Sequence, residues 1–198
     1  MLDFTPVFAG QTTMAELTAH LSAQDLRNLT NEIIDLQRDA IAAIEDADVT
    51  FVPVDPAAND TFAAAGVDAT VVNMAWTLGH VIVHATASSE EAAALALTLA
   101  RGLPVEGRSR YEVPWETVTA AAQVVQRLEE SRRMRLAMLD AWPDQPHLDN
   151  SYTPIPQLGP LNPPARFALG LLHDQSHIDQ IRDIVAQAQA ARAGQDAR

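Results

Sequence analysis

Apolar residues recur along this chain at steps of three and four. Leu26, Leu29, Ile33, Leu36, Ala40 and Ile44 follow that rule, which is the period of a helix burying one face. Val118, Ala121, Val125, Leu128, Leu136 and Leu139 repeat it further on. No strand-rich segment and no long internal repeat interrupts the pattern, so the fold class it predicts is all-α.

Capping and breaking residues divide this pattern into helices. Thr13-Met14-Ala15-Glu16 reads as a capping box for a short leading helix, and Ser22 with Asp25 starts the first long one. A second long helix is expected from Thr77 to Arg101, stopped by Gly102 and Pro104, with a kink where Ser88-Ser89-Glu90-Glu91 resembles another capping box. The third should run from Pro114 to Trp142, with Glu129 and Arg133 paired one turn apart. The fourth should open at Asn162-Pro163-Pro164 and run through Val185. Between them lie two long connections, 49–73 and 143–162, both rich in Pro, Asn, Asp and Gly. Four long helices with two long connections predict a four-helix bundle. Residues 1–190 should form a single domain, followed by a polar tail over 191–198.

Charge and composition exclude several function classes. The chain has 198 residues, enough to bury a core unaided, and its 47% apolar and 20% charged content is that of an ordinary globular protein. A net charge of -13 argues against a nucleic-acid backbone or an anionic membrane as partner. There is no cysteine, which removes disulfides, thiolate zinc sites, iron–sulfur clusters and a cysteine nucleophile. The opening Met1-Leu2-Asp3-Phe4-Thr5-Pro6 has no basic n-region, and the apolar run from Ala92 to Ala100 is too short to span a bilayer. A cytoplasmic location is the expectation.

Two histidine pairs stand at helical spacing, His80 with His84 and His173 with His177. Residues at i and i+4 share a helix face, so each pair aims two imidazoles in one direction. Six histidines scattered at random would give roughly 0.15 such pairs, so two pairs point to a purpose. A divalent cation held between two helices accounts for them. In the fourth helix Leu169, His173, His177, Gln180, Ile181 and Ile184 fall near one stripe, which sets both imidazoles on the core side.

Trp76-Thr77-Leu78-Gly79-His80-Val81-Ile82-Val83-His84, followed much later by His173-x-x-x-His177-x-x-Gln180-Ile181, resembles two helix signatures of the DinB-like (DNA-damage-inducible) superfamily. The resemblance covers most of the chain in layout. It implies a four-helix bundle in up-down-down-up order with long crossovers. It also implies one divalent metal, zinc or nickel, ligated by His84, His173 and His177. Related members include transferases and isomerases that use low-molecular-weight thiols such as bacillithiol or mycothiol. At the position of His80 family sequences often carry glutamate; the residue is open to three readings, a fourth ligand, a proton carrier or a helix-face residue near the site.

Other residues have readings around such a site. Trp76 is expected to be a packing anchor, and Gln180 either a partner orienting an imidazole or a solvated amide. His20 and His147 are expected at the surface. Arg132, Arg133 and Arg135 either hold a carboxylate of a thiol cosubstrate or form a solvated face with intrahelical ion pairs. Tyr152 is in a position to close over a site. Three protein ligands leave one coordination position open, which favours catalysis over structure. The leading expectation is a metal-dependent enzyme acting on a small-molecule substrate, such as a low-molecular-weight thiol S-transferase. The alternatives are a metal-dependent hydrolase and a non-catalytic, metal-stabilised bundle; a homodimer is compatible with each.

Overall fold

The computed structural model describes residues 1–54, 76–107 and 111–196. Among these it is built of seven α-helices: α1 (Thr5–Phe8), α2 (Met14–Thr18), α3 (Ala23–Ala40), α4 (Asp46–Val49), α5 (Leu78–Ala100), α6 (Ala121–Asp140) and α7 (Pro163–Asp196). The four long ones, α3, α5, α6 and α7, form the bundle. Two 3-10 turns, Trp115–Thr117 and Pro156–Leu158, punctuate the connections. Most of the 49–73 connection lies outside the described residues.

The capping signals work as the sequence implied. The Thr13 and Ser22 hydroxyls accept from Glu16 N and Asp25 N, and both boxes close reciprocally. Thr77 accepts from His80 N to start α5, and Gly102, at φ 74°, follows its end. Asn162 Oδ1 accepts from Ala165 N at the start of α7.

Four expectations about these elements are corrected. The first long helix stops at Ala40, and Asp46–Val49 is a separate turn with its own cap at Glu45. Pro114 opens only the 3-10 turn; Val118 is extended, and α6 begins at Ala121. The last helix runs on to Asp196 rather than fading after Val185, because Arg192 pairs with Glu45 and Asp48 and pins the extension to α4. Finally, α5 is uninterrupted at Ser88–Glu91. Ser89 is buried there, and its hydroxyl crosses to α7 instead of capping its own helix.

Cross-helix pairs give the relative directions. Arg27 bonds Leu136 O while Arg38 bonds Glu129, so α3 and α6 run antiparallel. Arg127 reaches Thr86 and Glu90 while Arg101 bonds Ala141 O, so α5 and α6 run parallel. Ser89 meets Gly170 and Asp174 while His84 meets His177, so α5 and α7 run antiparallel. Helix α5 is buried along most of its length and is the central element. At its contact with α7 the backbones approach so closely that a Cβ on Gly170 would stand 2.7 Å from Ala92 Cβ. The apolar core gathers Leu26, Ile33, Ile34, Val81, Ile82, Leu128, Ile181 and Ile184 from all four long helices.

Candidate metal centre

His84 lies in the second turn of α5, and His173 and His177 lie on the facing side of α7. The three imidazoles converge: one nitrogen from each lies within 4.8 Å of the others, and together they can hold a metal ion. Ring centroids are 5.0 Å apart for His84 and His173, 5.2 Å for His84 and His177, and 4.6 Å for His173 and His177. Nε2 of His177 stands 3.4 Å from Nε2 of His173. Zinc–nitrogen bonds of about 2.0–2.1 Å in a tetrahedron set their nitrogens roughly 3.3 Å apart. That pair therefore already has the spacing a tetrahedral ion demands. His177 is buried, whereas His84 and His173 are partly exposed, so the cluster opens to one side.

Neighbouring polar groups select the tautomers. Nδ1 of His177 is 2.7 Å from Gln180 Oε1. An amide oxygen can only accept, so the ring proton sits on Nδ1 and Nε2 carries the lone pair. Gln180 is thus buried as the partner of an imidazole, not solvated. On α5, Nδ1 of His84 lies 3.3 Å from Glu112 Oε1. At that distance the contact is electrostatic, and a carboxylate on the Nδ1 side favours the tautomer that leaves Nε2 to a metal. Glu112 was missed by sequence reasoning: it comes from the connection before α6 and belongs to no motif.

His80 does not join the cluster. It is buried and flat between two indoles, 4.2 Å from Trp76 at 9° and 4.7 Å from Trp115 at 13°. Trp76 is a buried packing anchor that also stands edge-on to His84, at 5.3 Å.

Behind the site lies a buried ionic network that sequence reasoning also missed. Asp174, next to His173 in the chain, pairs with Arg135 and accepts from the Ser89 hydroxyl at 2.7 Å. The same hydroxyl lies 3.0 Å from Gly170 O. Both ionic partners are 1% exposed. The arginine cluster is accordingly split: Arg135 is in the core, Arg132 binds Asp35 and Glu129 at the surface, and Arg133 points to solvent. Glu129 pairs with Arg132 and Arg38 rather than with Arg133.

The remaining candidates are remote. His20 and His147 are exposed. Tyr152 accepts from Arg166 and bridges to Leu161, which folds the 143–162 connection onto itself. Asn150 and His147 in that connection bond Leu99, Leu103 and Ala100 at the far end of α5. At 1.5 Å per residue, that is roughly 22 Å from His84. The loop does not border the histidines.

A family model described as the DinB superfamily matches residues 29–181. No curated protein and no solved structure matches the chain.

Proposed function

The chain belongs to the DinB superfamily, and from that premise we propose that it is a divalent-metal-dependent enzyme with His84, His173 and His177 as the ligands. The convergence of three imidazole nitrogens within 4.8 Å carries this reading. The antiparallel and parallel helix pairs support the family's up-down-down-up order. Zinc or nickel suits three neutral imidazoles in a chain without thiolates.

A bound divalent ion would supply Lewis acidity at its open position, lowering the pKa of an incoming thiol or water. The chain's own residues do the rest. Gln180 keeps the proton of His177 on Nδ1, the Glu112 carboxylate faces Nδ1 of His84, and the buried wall formed by Trp76 and α5 keeps water from the inner side. The substrate reading is conjugation of a low-molecular-weight thiol with an electrophile, since a chain without cysteine must take its thiol from solution. A hydrolytic reaction is the second reading, favoured by the same open side.

Metal content of untagged, chelator-free protein tests the ligand set. About one ion per chain is expected, and alanine at His84, His173 or His177 should each reduce it sharply, while His20→Ala and His147→Ala should not. Equal retention in all five variants would sink the assignment. Metal-dependent conjugation of small thiols with a model electrophile, lost in His177→Ala, then separates the transferase reading from the hydrolytic one.

A further inference from the structure

We propose that His80 is a positioning residue: clasped between Trp76 and Trp115, it docks the segment 112–118 onto α5 and thereby holds the Glu112 carboxylate against Nδ1 of His84. This rests on the metal reading above and gives that site a support outside its three ligands.

Three contacts tie the segment to the first turns of α5. Glu112 meets His84 at 3.3 Å. Trp115 covers one face of His80 at 4.7 Å. The Val118 carbonyl oxygen occupies the space beside Gly79, where a Cβ would meet it at 2.6 Å. The stack is the middle contact of the three. Flat, offset rings packed face to face fix both separation and tilt, which a single aliphatic contact does not. On its other face His80 holds Trp76, whose edge meets His84. One imidazole therefore steadies both neighbours of the ligand, the carboxylate through Trp115 and the indole directly. Its i,i+4 relation to His84 is what aligns the two functions on one face of α5. Carboxylates and amides that orient ligating histidines contribute substantially to metal affinity, so loosening this segment should be felt at the ion.

The test is zinc affinity by chelator competition, with cobalt(II) absorption as the spectroscopic signature, on the full chain. Variants are His84→Ala, Glu112→Ala, His80→Ala, His80→Phe and the double variant His80→Ala with Glu112→Ala. Glu112→Ala and His80→Ala should each weaken zinc about 10–100-fold and alter the cobalt spectrum. His80→Phe keeps a flat ring but no nitrogen, and should stay within about threefold of the parent, while the double variant should be no weaker than the worse single one. A His80→Phe affinity as poor as that of His80→Ala, an unaffected Glu112→Ala, or additive losses would each overturn the proposal. His80→Phe and Glu112→Ala carry the test should His80→Ala fold poorly, as judged by melting of the metal-free proteins. Absence of zinc binding by the parent, or full binding by His84→Ala, would overturn the metal reading together with this one; the other failures leave that reading standing.

Discussion

Asp174 stands between two of the clustered histidines in sequence but points the other way in space. Its carboxylate is sealed against Arg135 and Ser89, and both ionic partners are 1% exposed. Removing one member of a buried pair strands the other charge, so Asp174→Ala should destabilise the metal-free protein by about 3–5 kcal/mol. Ser89→Ala removes one donor to that carboxylate and should cost about 1.5–3 kcal/mol. Urea unfolding without metal measures both; equal effects would mean that the ion pair is not what holds this contact. No spacing rule marks Asp174 or Glu112 beforehand, because a carboxylate on a helix or in a loop is ordinarily solvated. The two histidine pairs were legible because their chemistry and their period coincide.

Between elements, the contact of α5 with α7 decides how close the clustered histidines can come. A Cβ on Gly170 would stand 2.7 Å from Ala92 Cβ and 3.1 Å from Ser89 Cα. Gly170→Ala should therefore push the helices apart and lower stability by about 1–3 kcal/mol, despite alanine's better helix propensity. A melting temperature equal to or above the parent's would contradict that. At the start of α3, the Ser22 hydroxyl and backbone N–H hold the exposed Asp25 carboxyl below its ordinary 3.8. A folded pKa below the unfolded one contributes stability that is present above pH 3.8 and is lost as pH falls through the lower folded value. Asp25→Asn should accordingly be less stable than the parent at neutral pH, with the gap closing in acid. A gap constant with pH would show that the charge is irrelevant to this cap.

For the molecule as a whole, the apolar core spans all four long helices. Chelation should leave helical circular dichroism nearly unchanged, unlike a small finger that folds only around its ion. Added zinc should still raise the melting temperature, since a ligand at 100 times its Kd stabilises by about 2.7 kcal/mol. Collapse of the helical signal on chelation would favour the non-catalytic, metal-stabilised bundle. Among the described residues no helix is long and apolar enough to cross a membrane.

Helical class, the caps of α2, α3, α5 and α7, and the two histidine pairs could be read from the chain, because each depends on residues within a turn or two. That His84 rather than His80 meets His173 and His177 was implied only by the family resemblance. The true start of α6, the unbroken α5 and the extended α7 could not, since Val118, Ser89 and Arg192 take their conformations from distant partners. The same holds for His80. Its spacing with His84 is that of a ligand pair, yet Trp115, from a different segment, claims its ring. Local periodicity determines which face a side chain is on; only packing between elements decides what meets it there.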